Sequence, residues 1–488
     1  MPSIASILSA TVLFAQSTVA FNCSIKPIYV DIHKRVVHES TAFQYGSFIG
    51  VGTAPAQNHS LWPSLSQNHM SFGALKYCEN SKLANCTAST GGFYDSNRST
   101  TFVEYQDFKS LDADVNNTLK GYFGQDVLRL YTHFYETDGA SQTLVPNSTI
   151  EAATGGDIIP GRVGMGPSST LLQDLAGQET IAGKTYSLYI GQGFDRAGGK
   201  VNGSNVFGGY DSGRFTGEPH QYPMNLNNVN AMSVRIKDIV LTQTAGGANQ
   251  SLFDPKDFPD MKSTPQTFEA EITTEQFPLS LPYQITQNFI KAVTGQKDNH
   301  WGDNSLKAAS SLNATLSIIL EDGFTVTFPP EVLRNYSDIT PIQDREETSN
   351  APFLLGSAFL GQVYLMADYD SSNFFLAPAV QKNNMVMPVT FCPKTTPAAY
   401  ERPKQSAWQS QGLIGAVLGG VIGGLGCLAA LYCLYISWLR KSDERRLKRD
   451  LARNQASKLE QMDIESAPSF DGPPKSGAKQ KVLFWKKG

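Results

Sequence analysis

The chain has 488 residues, 41% apolar and 17% charged, with a formal net charge of −4 at pH 7. That length is too great for one ordinary core, so two or more compact lobes are expected, and the composition is that of a folded chain. The charge balance offers no footing for a nucleic-acid partner, and none is expected.

Residues 1–20, "MPSIASILSATVLFAQSTVA", carry an apolar run and a small-residue exit at Thr18 and Ala20. They read as a secretory signal peptide, which would leave Phe21 as the first mature residue. From residue 21 to about 392 the texture is that of a β protein. Short apolar runs such as "DIVLTQ", "LSIIL", "FTVTF" and "VYLMADYD" are separated by Gly, Asn, Asp and Pro. Early in this region, "SFIGVGTAPAQ" (residues 47–57) reads as strand, turn and strand, delivering the chain to "LWPSLSQNH" (61–69). A second strand running into a polar turn, "FEAEITTEQFPLSLP" (268–282), echoes it. Helical periodicity is confined to short stretches, the best being residues 168–177 and 283–293.

Residues 393–411 are Pro-rich and polar and read as a stalk. Residues 412–439 contain no charge, and these 28 residues exceed the roughly 20 needed to cross a bilayer. The tail, residues 440–488, holds 13 Lys/Arg against 7 Asp/Glu. Basic residues mark the cytoplasmic side, so a type I single-pass protein of the plasma membrane is expected, its N-terminal bulk outside. Past the apolar segment the tail reads as disordered apart from a basic helix near residues 445–459. Gly415, Gly419 and Gly423 recur every four residues, a spacing that suits close helix packing and a homodimer.

Asn-x-Ser/Thr sequons fall at Asn22, Asn58, Asn85, Asn97, Asn116, Asn147, Asn202, Asn249, Asn313 and Asn335, all before the apolar segment, as surface glycosylation sites would. Of six cysteines, Cys427 and Cys433 lie within that segment. The other four, Cys23, Cys78, Cys86 and Cys392, suggest two disulfides with three possible connectivities. Closing the short loop Cys78–Cys86 is cheapest in chain entropy, and Cys23 with Cys392 would then join the ends of the folded region. Neither CxxC nor HExxH occurs, so no metal or cofactor is expected.

Several stretches together carry a family resemblance. They are "FIGVGTAPAQ", "CENSKLANC" (78–86), "FYDSNRSTTF" (93–102), "DIIPGRVGMGPSSTLL" (157–172), "VFGGYDSGRFTGE" (206–218) and "FLLGSAFLGQVYLMADYDSSNFFLAPA" (353–379). In that order they resemble landmarks of the pepsin-like aspartic proteases over roughly residues 41–388. The resemblance implies an all-β, bilobed fold, with lobes at 21–217 and 218–392 and a cleft between them. It further implies one Asp-Thr/Ser-Gly loop per lobe, whose two carboxylates share a proton and polarise a water.

This sequence departs from the family at those loops. The first motif falls on Trp62-Pro63-Ser64-Leu65-Ser66-Gln67-Asn68, with Pro63 at the aspartate. The second falls on Thr273-Thr274-Glu275-Gln276, with Thr273 at the other aspartate. Leu65 and Glu275 replace the glycines. Neither proline nor threonine titrates in the working range, so pepsin-type acid–base chemistry has no carrier at these positions. Asp211-Ser212-Gly213 spells a similar triplet inside the lobe-boundary segment, without a second copy, and reads as a structural turn. "GQETIAGKT" (177–185) spaces its glycines wrongly for a phosphate loop and reads as a surface turn.

The expectation is therefore a catalytically inactive, aspartic-protease-like surface glycoprotein. Its cleft, floored by Trp62, Ser64, Ser66, Thr274 and Glu275, would take a peptide or glycan, with the bilayer as partner through one helix. Two other readings stand beside it, a membrane-bound endopeptidase with non-standard acids and a purely structural surface glycoprotein.

Overall fold

In the computed structural model, the described residues run from 21 to 464, apart from 38–40, 42, 54, 80, 84, 110–118, 132–141, 157–158, 192–200, 245, 299–303, 336, 383–384 and 402–406. The expected signal peptide and sequon Asn116 lie outside them. The chain forms two compact units, Met1–Tyr400 and Glu401–Gly488.

The first unit is built on β-sheets. A 14-stranded sheet has at its centre β1 (Ile28–Val36), β2 (Phe43–Val51) and β3 (Gln57–Ser64), paired antiparallel in sequence. Beyond β3 come Arg162–Gly164, β4 (Met70–Ala74), Gln142–Gly156, Leu119–Tyr131 and Val103–Lys109. On the other side of β1 lie Gly203–Phe207, Thr185–Tyr189, Val363–Asp368, Asn373–Pro378 and the edge strand His220–Pro223. Strands from near residue 370 thus complete a sheet begun near residue 28. A separate six-stranded sheet is centred on Ser233–Gln243, Ala314–Leu320 and Phe268–Ile272.

Local pattern explains the elements. In Ala314–Leu320, buried and half-buried positions alternate strictly, as expected of a strand with one face on the core. Helix Thr170–Gly177 starts where the Ser169 hydroxyl accepts from the Leu172 amide, and it buries Leu171, Leu172 and Leu175. The core is continuous, from Val30, Ile49, Leu61 and Phe72 through Ile239, Ile272, Phe289 and Ile318 to Phe359 and Leu365. Disulfides join Cys78 to Cys86 and Cys23 to Cys392. The second of these ties the first described residues to the segment after Pro388–Thr390, which itself pairs with Gly209–Asp211.

Among its described residues the second unit contains one helix, Ala407–Ile464. It is long and apolar enough to cross a bilayer. It also corrects two expectations. The helix begins inside the segment read as a stalk, and the tail, read as disordered apart from a basic helix near residues 445–459, is helical without a break from residue 440 as far as Ile464. No Gly or Pro lies between Gly426 and Gly472 except Pro468, and the residues from 440 on are mostly Arg, Lys, Leu, Ala, Gln and Glu, so nothing in the sequence stops the helix at the end of the apolar stretch.

Candidate functional site

The two loops expected to face each other do meet. Past Leu61, β3 leaves β2 and runs parallel to Arg162–Gly164, with the Trp62 amide donating to Gly161 O at 2.9 Å. Successive amides along a strand point to opposite edges, so the missing N–H of Pro63 falls on the side away from that partner and leaves its ladder intact. The chain then turns through Ser64–Asn68. The Ser64 hydroxyl accepts from the Gln67 amide at 3.0 Å, and Asn68 Oδ1 accepts from the Ser168 amide at 2.8 Å. Gly164 and Gly166 press against this turn so closely that a Cβ on either would lie 2.5 Å from His69 or Asn68.

The second loop follows Phe268–Ile272. Thr273 and Thr274 are each 3% exposed. The Thr273 hydroxyl accepts from the Glu275 amide at 3.1 Å, closing the turn on itself. Thr274 reaches across to the first loop, its Oγ1 accepting from the Leu65 amide at 3.3 Å. Its carbonyl accepts from Trp62 Nε1 at 2.8 Å and from the Ser357 hydroxyl at 3.4 Å. Outside this grip, Arg162 Nε stands 3.4 Å from Glu275 Oε2, a further bond between residues far apart in sequence.

The structure therefore brings Trp62, Pro63, Ser64, Ser66, Thr273, Thr274 and Glu275 into one place. Pro63 is buried and carries no titratable group, and the Thr273 hydroxyl is engaged by its own loop. The carboxylate on these loops belongs to Glu275, which is paired with a guanidinium.

Beside the grip lies a cavity of about 200 Å³ whose walls are almost wholly apolar. Its lining includes Tyr45, Trp62, Ile190, Phe277, Val332 and Ala358, together with Ser357 and Gln362. Phe277 is 48% exposed at this site. Sequence reasoning missed Arg162 and most of this lining. The signal for Arg162 was present, since a cation interrupts the apolar run "GRVGMG" while an anion stands at the glycine position of the other motif. The lining residues come from six separate segments and share no local pattern.

Asp211 lies elsewhere and is fully buried. Its carboxylate accepts from the amides of Gly213 and Met387 and faces Arg214 at 3.8 Å, which makes it a tie for the segment before Pro388–Thr390. Burial pushes its pKa up, against the pull of those amides and of Arg214. In the phosphate-loop look-alike, the Lys184 amide and ammonium are both held by Asp370. Among the described residues, no three His, Cys, Asp or Glu side chains are placed to hold a metal. Asn22, Asn85, Asn97, Asn147, Asn202, Asn249, Asn313 and Asn335 are exposed. Asn58 is half-buried within β3, its Oδ1 accepting from the Tyr131 hydroxyl at 3.0 Å.

Comparison with known proteins gives a consistent result. The family model described as eukaryotic aspartyl protease matches residues 61–379. Gastricsin of Rattus norvegicus is 24% identical over 361 residues, covering 71% of this chain and 84% of that protein. Gastricsin of Mus musculus is 23% identical with the same coverage. Among solved structures, the aspartic proteinase from Irpex lacteus matches with a TM-score of 0.49 at 16% identity, covering 73% of this chain and all of that one.

Proposed function

The chain belongs to the eukaryotic aspartyl protease family, and from that premise we propose that it is a pseudoprotease whose cleft binds a ligand without cleaving it. The observation that carries this reading is the content of the two meeting loops, where the positions matched to the family's paired aspartates hold Pro63 and Thr273. Peptide hydrolysis by the family's mechanism needs one carboxylate to take a proton from water while another gives one to the scissile carbonyl. Glu275 is a single acid, and it is paired with Arg162 at 3.4 Å.

The apolar cavity supports a ligand role and narrows the choice between peptide and glycan. A dry cavity of about 150 Å³ suffices for a benzene ring, so the space beside Trp62 and Phe277 suits one aromatic or branched aliphatic side chain of a peptide. A sugar would strip water from its hydroxyls and find almost no polar wall in return.

Around this site the reading is of lobes at 21–217 and 218–392, a cleaved signal peptide, and glycans on the exposed sequons. One helix anchors the protein in the plasma membrane with the folded unit outside, and it self-associates through Gly415, Gly419 and Gly423.

The test uses the secreted unit ending at Tyr400, incubated with denatured protein from about pH 3 to about pH 7, the range over which carboxylates lose their protons. A transition-state peptide inhibitor of pepsins is added to half the samples. No cleavage, together with saturable binding of the inhibitor, is expected. Inhibitor-sensitive cleavage would mean an endopeptidase with non-standard acids, and absence of both cleavage and binding would mean a structural glycoprotein.

A further inference from the structure

The helix Ala407–Ile464 passes without a break from its apolar stretch into a basic one. Between Arg440 and Arg453 the sequence holds seven Lys/Arg against three acids. Their placement around the helix is uneven. At 3.6 residues per turn, Arg445, Arg446, Arg449 and Arg453 fall within an arc of about 100°, while Asp443, Glu444 and Asp450 fall outside it. Leu447 and Leu451 stand on the opposite side. All four arginines are exposed, and the ion pairs among the described residues lie elsewhere, for example at Arg162–Glu275, Arg235–Glu321 and Arg334–Asp338. The result is a row of four guanidiniums that outnumbers the two carboxylates beside it, Asp443 and Asp450, which lie within one helical turn of Arg446.

Height above the apolar stretch bears on what this row can meet. With a rise of about 1.5 Å per residue, Arg446 stands about 9 Å beyond Arg440 and Arg453 about 20 Å beyond it. The headgroup layer is about 5–8 Å deep on each side, so the row starts at its outer edge and runs through roughly one Debye length of the solution beyond it. Neighbours three or four residues apart on a helix are about 5–6 Å apart at Cβ, so two guanidiniums can grip two phosphates of one headgroup. Arginine is suited to this because its planar fork binds phosphate through paired hydrogen bonds.

We propose that the Arg445–Arg446–Arg449–Arg453 face binds phosphorylated headgroups of anionic lipids in the membrane that the helix enters, preferring headgroups with more than one phosphate. This surface belongs to the second unit alone and is independent of what the cleft does. An acidic protein segment is the less favoured occupant, because the row begins within a few ångströms of the headgroups and meets them at the high local concentration that the anchor imposes.

The experiment uses the full chain in phosphatidylcholine bilayers containing trace spin-labelled lipid. The motionally restricted fraction is compared for labelled phosphatidylcholine, phosphatidylserine and phosphatidylinositol bisphosphate. The wild type is expected to favour the bisphosphate over phosphatidylcholine by about tenfold, with phosphatidylserine between them. Arg446→Gln/Arg449→Gln/Arg453→Gln should bring that ratio close to one, while thermal melting of the folded unit stays unchanged. About 1 M salt should act in the same direction on the wild type. A wild type without lipid preference, or a triple variant that keeps it, overturns the proposal. Equal preference for phosphatidylserine and the bisphosphate overturns its polyphosphate part.

Discussion

Thr274 is the residue through which the two loops hold each other, and Thr274→Val isolates one side of that grip. Valine preserves the branched shape of a side chain that is 3% exposed and removes only Oγ1. The Leu65 amide, on a residue that is 2% exposed, then loses its acceptor at 3.3 Å. A buried donor left unsatisfied costs about 1–3 kcal/mol. For a unit that ends at Tyr400, unfolding entropy scales to about 1.3 °C of melting temperature per kcal/mol. The expected fall is therefore about 1–4 °C. Ser357→Ala is the matched control, because Thr274 O would keep its 2.8 Å donor from Trp62 and lose only the 3.4 Å one. Its expected effect is below about 0.5 kcal/mol. Scanning calorimetry of the two variants at one scan rate decides the matter. Should Thr274→Val melt with the wild type, or Ser357→Ala be the more damaging, the loops are not held together in the way argued here.

The Arg162–Glu275 pair is partly exposed, at 12% and 31%, so Glu275→Gln should cost about 0–1 kcal/mol and the difference should shrink as salt is raised in urea titrations. His33 is held unprotonated, since burial and the Arg35 cation lower its pKa to about 4, while Arg35 Nη2 donates to its Nδ1 at 2.8 Å. The unfolded chain takes up a proton near the ordinary value of about 6.5. Stability should therefore be full above about 6.5 and fall as pH drops toward about 4, and His33→Asn should flatten that slope in urea midpoints measured across the window. Asn58 is paired within β3 and bonded to Tyr131, so mass spectrometry of enzymatically deglycosylated peptides should find it unmodified while exposed sites such as Asn97 and Asn202 are occupied. Gly419→Ile should abolish self-association of the full chain in detergent, as read by crosslinking, because a branched side chain keeps the two helices apart.

How much of this was legible in the sequence differs from element to element. Strands with one buried face, such as Ala314–Leu320, announce themselves by alternation, and helix Thr170–Gly177 by its Ser169 cap. The paired loops were legible as well, because motif order fixes which segments must approach each other. Pairing that depends on distant sequence was not. Nothing local in Val363–Asp368 says that it joins Thr185–Tyr189, since a fully buried strand reads the same in any sheet. The cavity was hidden for a related reason. Its walls are ordinary apolar residues, and the space exists only once several segments have packed. The basic helix near residues 445–459 was legible, but its continuity with the apolar stretch and its reach to Ile464 were not, since the charge of the flanking residues resembles a disordered tail in composition although the same residue types favour helix.

The two loops hold each other without a pair of carboxylates between them. A pair of buried carboxylates in close approach is a destabilising arrangement, tolerated in an enzyme because the chemistry requires it. Here the approach of the loops rests on other bonds: the Leu65 amide to Thr274 Oγ1, the Trp62 indole to Thr274 O, and Arg162 to Glu275. None of these passes through position 63 or 273. Pro63 fits because its nitrogen points away from the Arg162–Gly164 strand, and Thr273 because its hydroxyl is satisfied by the Glu275 amide. Architecture and acidity are thus carried by different atoms of the same two loops. Beside the meeting point lies the apolar cavity lined by Trp62 and Phe277.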